Sequence, residues 1–311
     1  MERTSFASLL PRVLPVFRLP RLADSTRAVV IGMGGGCDVF AAAAFADLWQ
    51  AENPSATVLC AGCTGARAIP DNFDSLAQYI YRLPATVEPL VPGDEGYGSF
   101  RLECSVPRRV EGGPFVMVVP KSGKNEGTVE DITAANAAAL LESLSALRVD
   151  QVLAVDLGGD SLSGGADFER DAELGRDRQV LHALTASKLP FVHLVVAPGC
   201  DGETSVASMQ TAIKAADARG QLLGVMPRLG GALPTMAKLA ATLSAARTPN
   251  IIRRAVEHLD TLDEATWAEA GTCTVERHGL RQEVPYAWLS VSLALGVPEP
   301  AGPANLVDPP E

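Results

Sequence analysis

Short, nearly continuous apolar runs recur along this chain, and each ends in glycine or in a polar cluster. Runs rich in Val and Leu, without polar alternation, are typical of strands buried on both faces, and thus of a parallel sheet covered by helices. Helical patterns separate the runs, so we predict an α/β fold in which a three-layer, Rossmann-like, mostly parallel sheet is flanked by helices. The runs are AVVIG (28–32), ATVLCAGC (56–63), PFVMVV (114–119), QVLAVDL (151–157) and FVHLVV (191–196).

The same pattern predicts how the chain is divided. We expect a single α/β domain over residues 28–296, preceded by an N-terminal strap (1–27) and followed by a flexible, Pro-rich tail (297–311). The N-terminus is Arg-rich and poor in acids, a composition shared with organellar transit peptides, but its prolines interrupt any amphipathic helix. We therefore favour a strap and a cytoplasmic location, and leave organellar targeting as the alternative.

Charge and hydropathy limit the partners. A formal net charge of −11 argues against a nucleic-acid surface, which requires clustered Lys and Arg. No apolar run approaches the roughly 18–20 residues that a membrane span needs. We expect a small-molecule partner that is anionic, no nucleic acid and no membrane; the oligomeric state stays open, with a homo-oligomer as one candidate.

Six scattered cysteines are typical of a reducing compartment. Cys60 and Cys63 form a single CxxC pair without a second pair at zinc-finger spacing. We interpret this pair as two small residues packed behind a strand, with a zinc or redox role as the alternative.

The first apolar run leads into the glycine-rich segment GMGGGCD (32–38). Neither register of this segment completes the G-x-G-x-x-G dinucleotide fingerprint, and the second apolar run ends without a ribose-binding acid, so we expect no NAD. The backbone of Gly34, Gly35 and Gly36 is instead a candidate anion site. Asp38 follows directly, either as a carboxylate that satisfies the helix N-terminus or as the ligand of a divalent cation that bridges to an anionic substrate.

Acidic residues also follow two later apolar runs. Asp156 and Asp160 flank a Gly-Gly turn, and the segment APGCDGE supplies Asp201 and Glu203. Because parallel strands place their carboxyl ends at one edge of the sheet, we expect these groups to converge. Oxygen-rich, His-poor ligand sets favour Mg²⁺, Mn²⁺ or Ca²⁺ over Zn²⁺, and we expect Mg²⁺ or Mn²⁺ here. The predicted metal ligands are Asp38, Asp156, Asp160 and Asp201, and the candidate general bases are Asp160 and Glu203.

The third apolar run ends in KSGKNEGT, just before a predicted capping box at Thr128 and Asp131. Its polar side chains are candidate ligands for phosphate or carboxylate, although a solvated loop has the same composition. A later charged stretch (167–178) is typical of a solvated helix face. As an alternative, Arg176 and Arg178 would reach an anionic substrate from a lid. The predicted anion-binding side chains of the third run are Lys121, Ser122, Lys124 and Asn125.

Three motifs occur in a recognisable order: GMGGGCD, then DLGGD (156–160), then GCDGE (199–203). In this order the chain resembles the uncharacterised microbial domain-of-unknown-function family numbered 1152, over an expected span of residues 14–290. Cys37 stands where the family has its last glycine, and the segment after DLGGD is more charged than the family pattern. The resemblance implies an α/β fold and a shared site, but no reaction.

The residues favour an enzyme that uses a divalent cation to act on a small anionic metabolite bearing phosphate or carboxylate, of the hydrolase or lyase type. Two alternatives remain open at this point. One is a nucleotide-binding enzyme or sensor in which Asp38 serves only the helix, and the other is a non-catalytic subunit that retains the crevice.

Overall fold

The computed structural model describes residues 3–4, 14–84, 90–93, 100–121, 126–164, 172–277 and 280–296. The strands are β1 (Arg3–Thr4), β2 (Leu14–Pro15), β3 (Arg27–Gly32), β4 (Thr57–Gly65), β5 (Asp74–Ala77), β6 (Ile80–Arg82), β7 (Phe115–Val119), β8 (Gln151–Leu157), β9 (Phe191–Val196), β10 (Leu222–Pro227), β11 (Thr272–Arg277), β12 (Leu280–Pro285) and β13 (Val291–Leu295). The α-helices are α1 (Asp38–Glu52), α2 (Arg101–Ser105), α3 (Val129–Ala146), α4 (Asp160–Ser163), α5 (Arg176–Ser187), α6 (Val206–Ala218), α7 (Leu233–Leu239), α8 (Thr248–Leu259) and α9 (Tyr286–Leu289). Short 3₁₀ turns occupy Val110–Gly112, Ala172–Leu174, Arg228–Gly231 and Glu264–Glu269.

Within the described ranges, nine strands form one sheet in the order β10-β13-β9-β8-β3-β4-β7-β6-β5. The five central strands, β9 to β7 in this order, are parallel to one another, and antiparallel strands close both edges. The five apolar runs of the sequence are these five central strands. The predicted three-layer α/β fold with a mostly parallel sheet is therefore confirmed, with antiparallel strands added at its margins.

Alternate residues of each central strand face opposite helical layers. In β3, Ala28 and Val30 belong to the core shared with α1, α6, α7 and α8. Val29 and Ile31 belong to the second core, shared with α3 and α5. All four side chains are fully buried, which explains why the strand is apolar on both faces.

Helix α1 is enclosed almost all round. Its residues 38–46 are all buried, and the run Ala41–Ala44 supplies side chains small enough for close approach to the sheet and to α7. An apolar surface on every side is expected of a helix packed between layers. The packing places the N-terminus of α1 at the carboxyl edge of β3.

The N-terminal segment lies against the body of the fold. The amide of Phe17 donates to the carbonyl of Val225 in edge strand β10 (2.8 Å), and the indole Nε1 of Trp49 donates to the carbonyl of Pro20 (2.8 Å). Residues 5–13 and the predicted tail at 297–311 lie outside the described residues, and the predicted boundaries at 27 and 297 stay predictions.

The region after β10 contains two separate helices, α7 and α8. The segment 272–285 forms the antiparallel hairpin β11–β12, with residues 278–279 outside the described part. Among the described helices, none combines the length and apolar character needed to cross a bilayer.

The order in which the chain forms the parallel strands identifies the edge of the sheet where a ligand site is expected. From β3 the chain enters β4 and then forms β5, β6 and β7 on the same side, before it returns to β8 on the other side of β3 and continues to β9. The β3–β8 pair is thus a topological switch point, where connections diverge and a crevice opens beyond the carboxyl ends of the strands. A ligand site is expected at this point.

The predicted capping box at the start of α3 is present: Thr128 Oγ1 accepts from the Asp131 amide, and the Asp131 carboxylate accepts from the Thr128 amide. We expect Thr128→Ala to lower the free energy of unfolding by about 1 kcal/mol, because the helix loses an acceptor for an N-terminal amide. Thr128→Ser retains the hydroxyl and should lose less. Urea denaturation of the three proteins measures this, and equal losses in both variants would contradict the role of the hydroxyl.

Candidate active site

A cavity of about 190 Å³ lies at the carboxyl edge of β3, β8 and β9. Its walls include the glycine turn before α1 and side chains of both charges. The acidic residues that line it are Asp38, Asp160, Asp177, Asp201 and Glu203, and the arginines are Arg67, Arg176, Arg247 and Arg277. The switch point of the sheet therefore carries a strongly polar cavity in which opposite charges lie close together.

The Asp38 carboxylate joins the ends of β3 and β8. Its Oδ2 accepts from the Gly34 amide (2.6 Å) and its Oδ1 accepts from the Leu157 amide (3.3 Å), while Asp38 itself is buried. The backbone approaches closely here, since a Cβ on Gly32 would lie 2.7 Å from the Asp38 carbonyl carbon. The structure therefore gives Asp38 a bracing role between two strand ends, within a wall of the cavity.

The Asp156 carboxylate is held by hydrogen bonds at the start of α4. It accepts from the amides of Gly159 (3.3 Å) and Ser161 (3.1 Å) and from the Ser161 hydroxyl. The same hydroxyl oxygen lies 2.9 Å from Nε2 of the buried His193. Burial, with a smaller effect of Arg178, lowers the pKa of His193 to about 3, so this imidazole is neutral near pH 7.

When Asp156 is ionised, Ser161 uses its one hydroxyl hydrogen toward the carboxylate. The neutral His193 must then donate its Nε2 hydrogen to Ser161. His193 and Ser161 therefore hold Asp156 through an ordered hydrogen-bond chain.

The acidic side chains form two triads. Asp38, Asp156 and Asp177 make a buried triad, and Asp160, Asp201 and Glu203 make a partly exposed triad; within each, carboxylate oxygens lie within 4.8 Å of one another. Burial raises the pKa of Asp156 to about 7, with Asp177 adding to the shift. Burial also places the pKa of Asp38, Asp160 and Asp201 well above the ordinary range, and neighbouring carboxylates reinforce each shift.

The two carboxylate oxygens of Asp201 differ in their contacts. Its Oδ1 accepts from the Glu203 amide (3.3 Å), whereas Oδ2 is out of contact with solvent and has no hydrogen-bond partner among the described residues. Gly158, at φ +110°, allows this position, since a Cβ there would lie 2.1 Å from the Asp201 carboxyl carbon. A buried carboxylate oxygen without a donor is costly unless a proton or a cation meets it.

The arginines approach the acids from other elements. Nε of Arg176 lies 3.5 Å from Asp177 Oδ1, and Nε of Arg277, in the β11–β12 hairpin, lies 3.5 Å from Glu203 Oε1. Arg67, after β4, pairs with Glu103 at 3.0 Å. Nη2 of Arg247, the residue before α8, donates to Cys37 Sγ at 3.1 Å. Four separate segments thus supply positive charge to one cavity.

Most of the residues predicted from the motifs converge. Gly34, Gly35, Gly36, Asp38, Asp160, Asp201 and Glu203 line the cavity, and Asp156 completes the buried triad. The four predicted metal ligands are divided between the two triads.

Lys121 is not among the residues that line the cavity. Its backbone pairs with the Asn136 side chain, and its Nζ donates to the Glu126 carbonyl (3.2 Å). It follows β7, which β4 separates from β3, and this explains its distance from the switch point. The other predicted side chains of that loop, Ser122, Lys124 and Asn125, lie outside the described residues.

Sequence reasoning missed several contributors. The charged stretch 167–178 predicts a solvated helix face, but Asp177 within it is buried and belongs to a triad. Of the two arginines considered there for a lid, Arg176 lines the cavity, whereas Arg178 donates to Glu173 and to the carbonyls of Ser161 and Leu162. Arg67, Arg247 and Arg277 carry no motif, and no signal in a single sequence connects them to the cavity.

The CxxC pair does not form a site. Cys60 and Cys63 are both buried in β4, and each belongs to a different one of the two cores. Residues three apart in a strand point to opposite faces. The packing interpretation of this pair agrees with the structure, because their side chains cannot bind one ion together.

The fold and the cavity define an α/β protein of the Rossmann-like type with a charged crevice at its switch point. Residues 116–266 match the sequence model of a family described as protein of unknown function (DUF1152), so the resemblance to that family is confirmed. The match includes DLGGD and GCDGE, while the glycine-rich motif at 32–38 and much of the expected span of 14–290 lie outside it. No curated protein matches the chain.

The raised carboxyl pKa values predict how stability depends on pH. The pKa of Asp156 rises from 3.8 to about 7 on folding, so the folded protein holds this proton more tightly than the unfolded chain between these values. Stability should therefore fall as the pH rises through this range. We expect the Tm, measured with chelator present, to decrease by several degrees between pH 5 and pH 8.

Asp156→Asn should reduce that decrease, whereas Asp74→Asn, a change on an exposed edge strand far along the sheet, should preserve it. A Tm that is constant or rises over the same interval in the parent protein would contradict the assignment of raised carboxyl pKa values.

Proposed function

We propose that this protein is a divalent-cation-dependent enzyme that acts on a small anionic metabolite, by hydrolysis or by a lyase reaction. The observation that carries the proposal is the composition of one cavity, in which an acidic triad and four arginines face the same small volume. A cation held by the acids and an anion held by the arginines would satisfy both sets of charges.

Asp160, Asp201 and Glu203 are the best candidate ligands for the cation. All three line the cavity, and their oxygens lie within 4.8 Å of one another. Oxygens on opposite sides of an ion are separated by about twice the metal–oxygen distance, roughly 4–5 Å for Mg²⁺ or Ca²⁺. Asp201 Oδ2 has no hydrogen-bond partner in the described part of the chain, which makes it available to a cation.

The buried triad of Asp38, Asp156 and Asp177 contributes further carboxylates near the proposed cation site. Asp38 and Asp156 accept hydrogen bonds from backbone amides that keep their carboxylates in place. A cation bound nearby would favour the charged forms of these carboxyl groups and of Asp177, and those charges would then add to the negative potential that holds the cation. The all-oxygen set favours Mg²⁺ or Mn²⁺ as the proposed cofactor.

Such a cation would polarise a substrate oxygen or lower the pKa of a bound water. Asp160 and Glu203 lie in the same triad, so whichever of them does not bind the ion would be placed to accept a proton from that water. The arginines would orient the substrate anion through charge-assisted hydrogen bonds. We propose a cytoplasmic location as well, because the structure shows no disulfide bond among the six described cysteines.

One observation favours a second function. Asp38 accepts hydrogen bonds from two backbone amides, so it can hold the two strand ends together without a cation. This agrees with a nucleotide-binding protein in which the other acids hold ribose hydroxyls. A thermal-shift panel of nucleotides with chelator present distinguishes the two functions.

The direct test is a titration of chelator-treated protein with Mg²⁺ or Mn²⁺, followed by Tm. At a concentration about a hundredfold above Kd, a bound ion stabilises the protein by about 2.7 kcal/mol, a Tm increase of about 5 °C. Asp160→Asn and Asp201→Asn should each lose most of this increase, because each removes a charged ligand.

Asp74→Asn is the matched control and should respond like the parent protein. A screen of phosphorylated and carboxylated metabolites with the loaded protein then tests turnover, which we expect Asp156→Asn to abolish. Absence of any cation response in the folded parent protein would overturn the proposed function.

A further inference from the structure

The turn between β3 and α1 presents three backbone amides to the cavity. Gly35, Gly36 and Cys37 all line the cavity, and their three successive backbone N–H groups donate to no acceptor in the described part of the chain. Gly35 (φ +71°) and Gly36 (φ +60°) adopt left-handed conformations that favour glycine and shape the turn. Successive amides at a helix N-terminus form a concave surface that attracts anions.

A buried guanidinium lies beside this turn. Arg247 is 5% exposed, donates from Nη2 to Cys37 Sγ, and has the same nitrogen 3.7 Å from where a Cβ on Gly36 would be. Arg247 therefore places a positive charge beside the amides of Gly36 and Cys37. Thr248, which begins the twelve-residue helix α8, also lines the cavity and brings a second helix N-terminus to it.

The number and geometry of these donors distinguish between anions. A phosphoryl group offers three terminal oxygens, which matches three amides together with a guanidinium fork, whereas a carboxylate offers two oxygens in one plane. The acids of the proposed cation site contribute to the same small cavity, so an ion bound there would contact the same substrate. The volume of about 190 Å³ suits a small phosphorylated compound.

We propose that Gly35, Gly36, Cys37 and Arg247 form a phosphate subsite, and that the substrate is a small phosphate monoester. The inference rests on the proposed function for the presence of a catalytic cation, but the subsite itself consists of different residues. Arg247 binds the phosphate as a substrate-binding residue, and the α1 turn encloses its remaining oxygens.

The test measures binding of inorganic phosphate by calorimetry, at saturating Mg²⁺, to the parent protein and to Arg247→Gln. We expect the variant to bind phosphate at least tenfold more weakly while its Tm response to Mg²⁺ stays like that of the parent. Arg253→Gln is the matched control, since Arg253 lies in α8, the helix that follows Arg247, and pairs on the surface with Glu257. Acetate should bind the parent protein more weakly than phosphate.

A second measurement uses the parent protein alone and so does not depend on whether Arg247→Gln folds. In protein labelled with ¹⁵N-glycine, phosphate should shift the amide resonances of Gly35 and Gly36, and leave that of Gly271, which lies away from the cavity, unchanged.

A parent protein that responds to Mg²⁺ but shows neither phosphate binding nor these shifts would overturn the subsite and leave the proposed function standing. Equal phosphate affinity in Arg247→Gln would overturn the role of Arg247. A parent protein that binds phosphate but shows no Tm response to Mg²⁺ would instead overturn the proposed catalytic cation and leave the phosphate subsite standing.

Discussion

The Asp38 carboxylate is the contact on which the geometry of the cavity depends. It accepts from the Gly34 amide after β3 and from the Leu157 amide at the end of β8, and so ties together the two strands that diverge at the switch point. Burial and two further carboxylates raise the pKa of Asp38, because both disfavour its charged form. Through this contact, Asp38 holds the glycine turn before α1 next to the end of β8, from which the chain continues to Asp160.

Charge is balanced across the cavity rather than residue by residue. Five carboxylates and four guanidiniums line it, and the ion pairs Arg176–Asp177 and Arg277–Glu203 connect opposite charges from different segments. Like charges this close still raise one another's pKa, as they do at Asp38, Asp160 and Asp201. The same arrangement is what a cation and a phosphorylated substrate would use together, because each would replace part of the internal pairing.

Much of the fold was predictable because buried parallel strands leave an unambiguous apolar signal. Acids that directly follow such strands were also predictable, since the carboxyl ends of parallel strands share one edge, and Asp38, Asp156, Asp160, Asp201 and Glu203 do meet there. Lys121 follows a strand as well, but β4 separates its strand from the switch point. Strand order decides that outcome, and a single sequence does not contain the strand order.

The sequence by itself determined the central strands, the glycine turn and the acidic motifs, because these are local patterns of hydropathy and backbone freedom. The tertiary structure alone decided which charges meet. Asp177 lies in a charged stretch that resembles a solvated helix face, yet it is buried beside Asp38 and Asp156. Arg247 and Arg277 come from segments far along the chain. Electrostatic interaction depends on distance in space and on burial, and both are set only when the layers of the fold pack together.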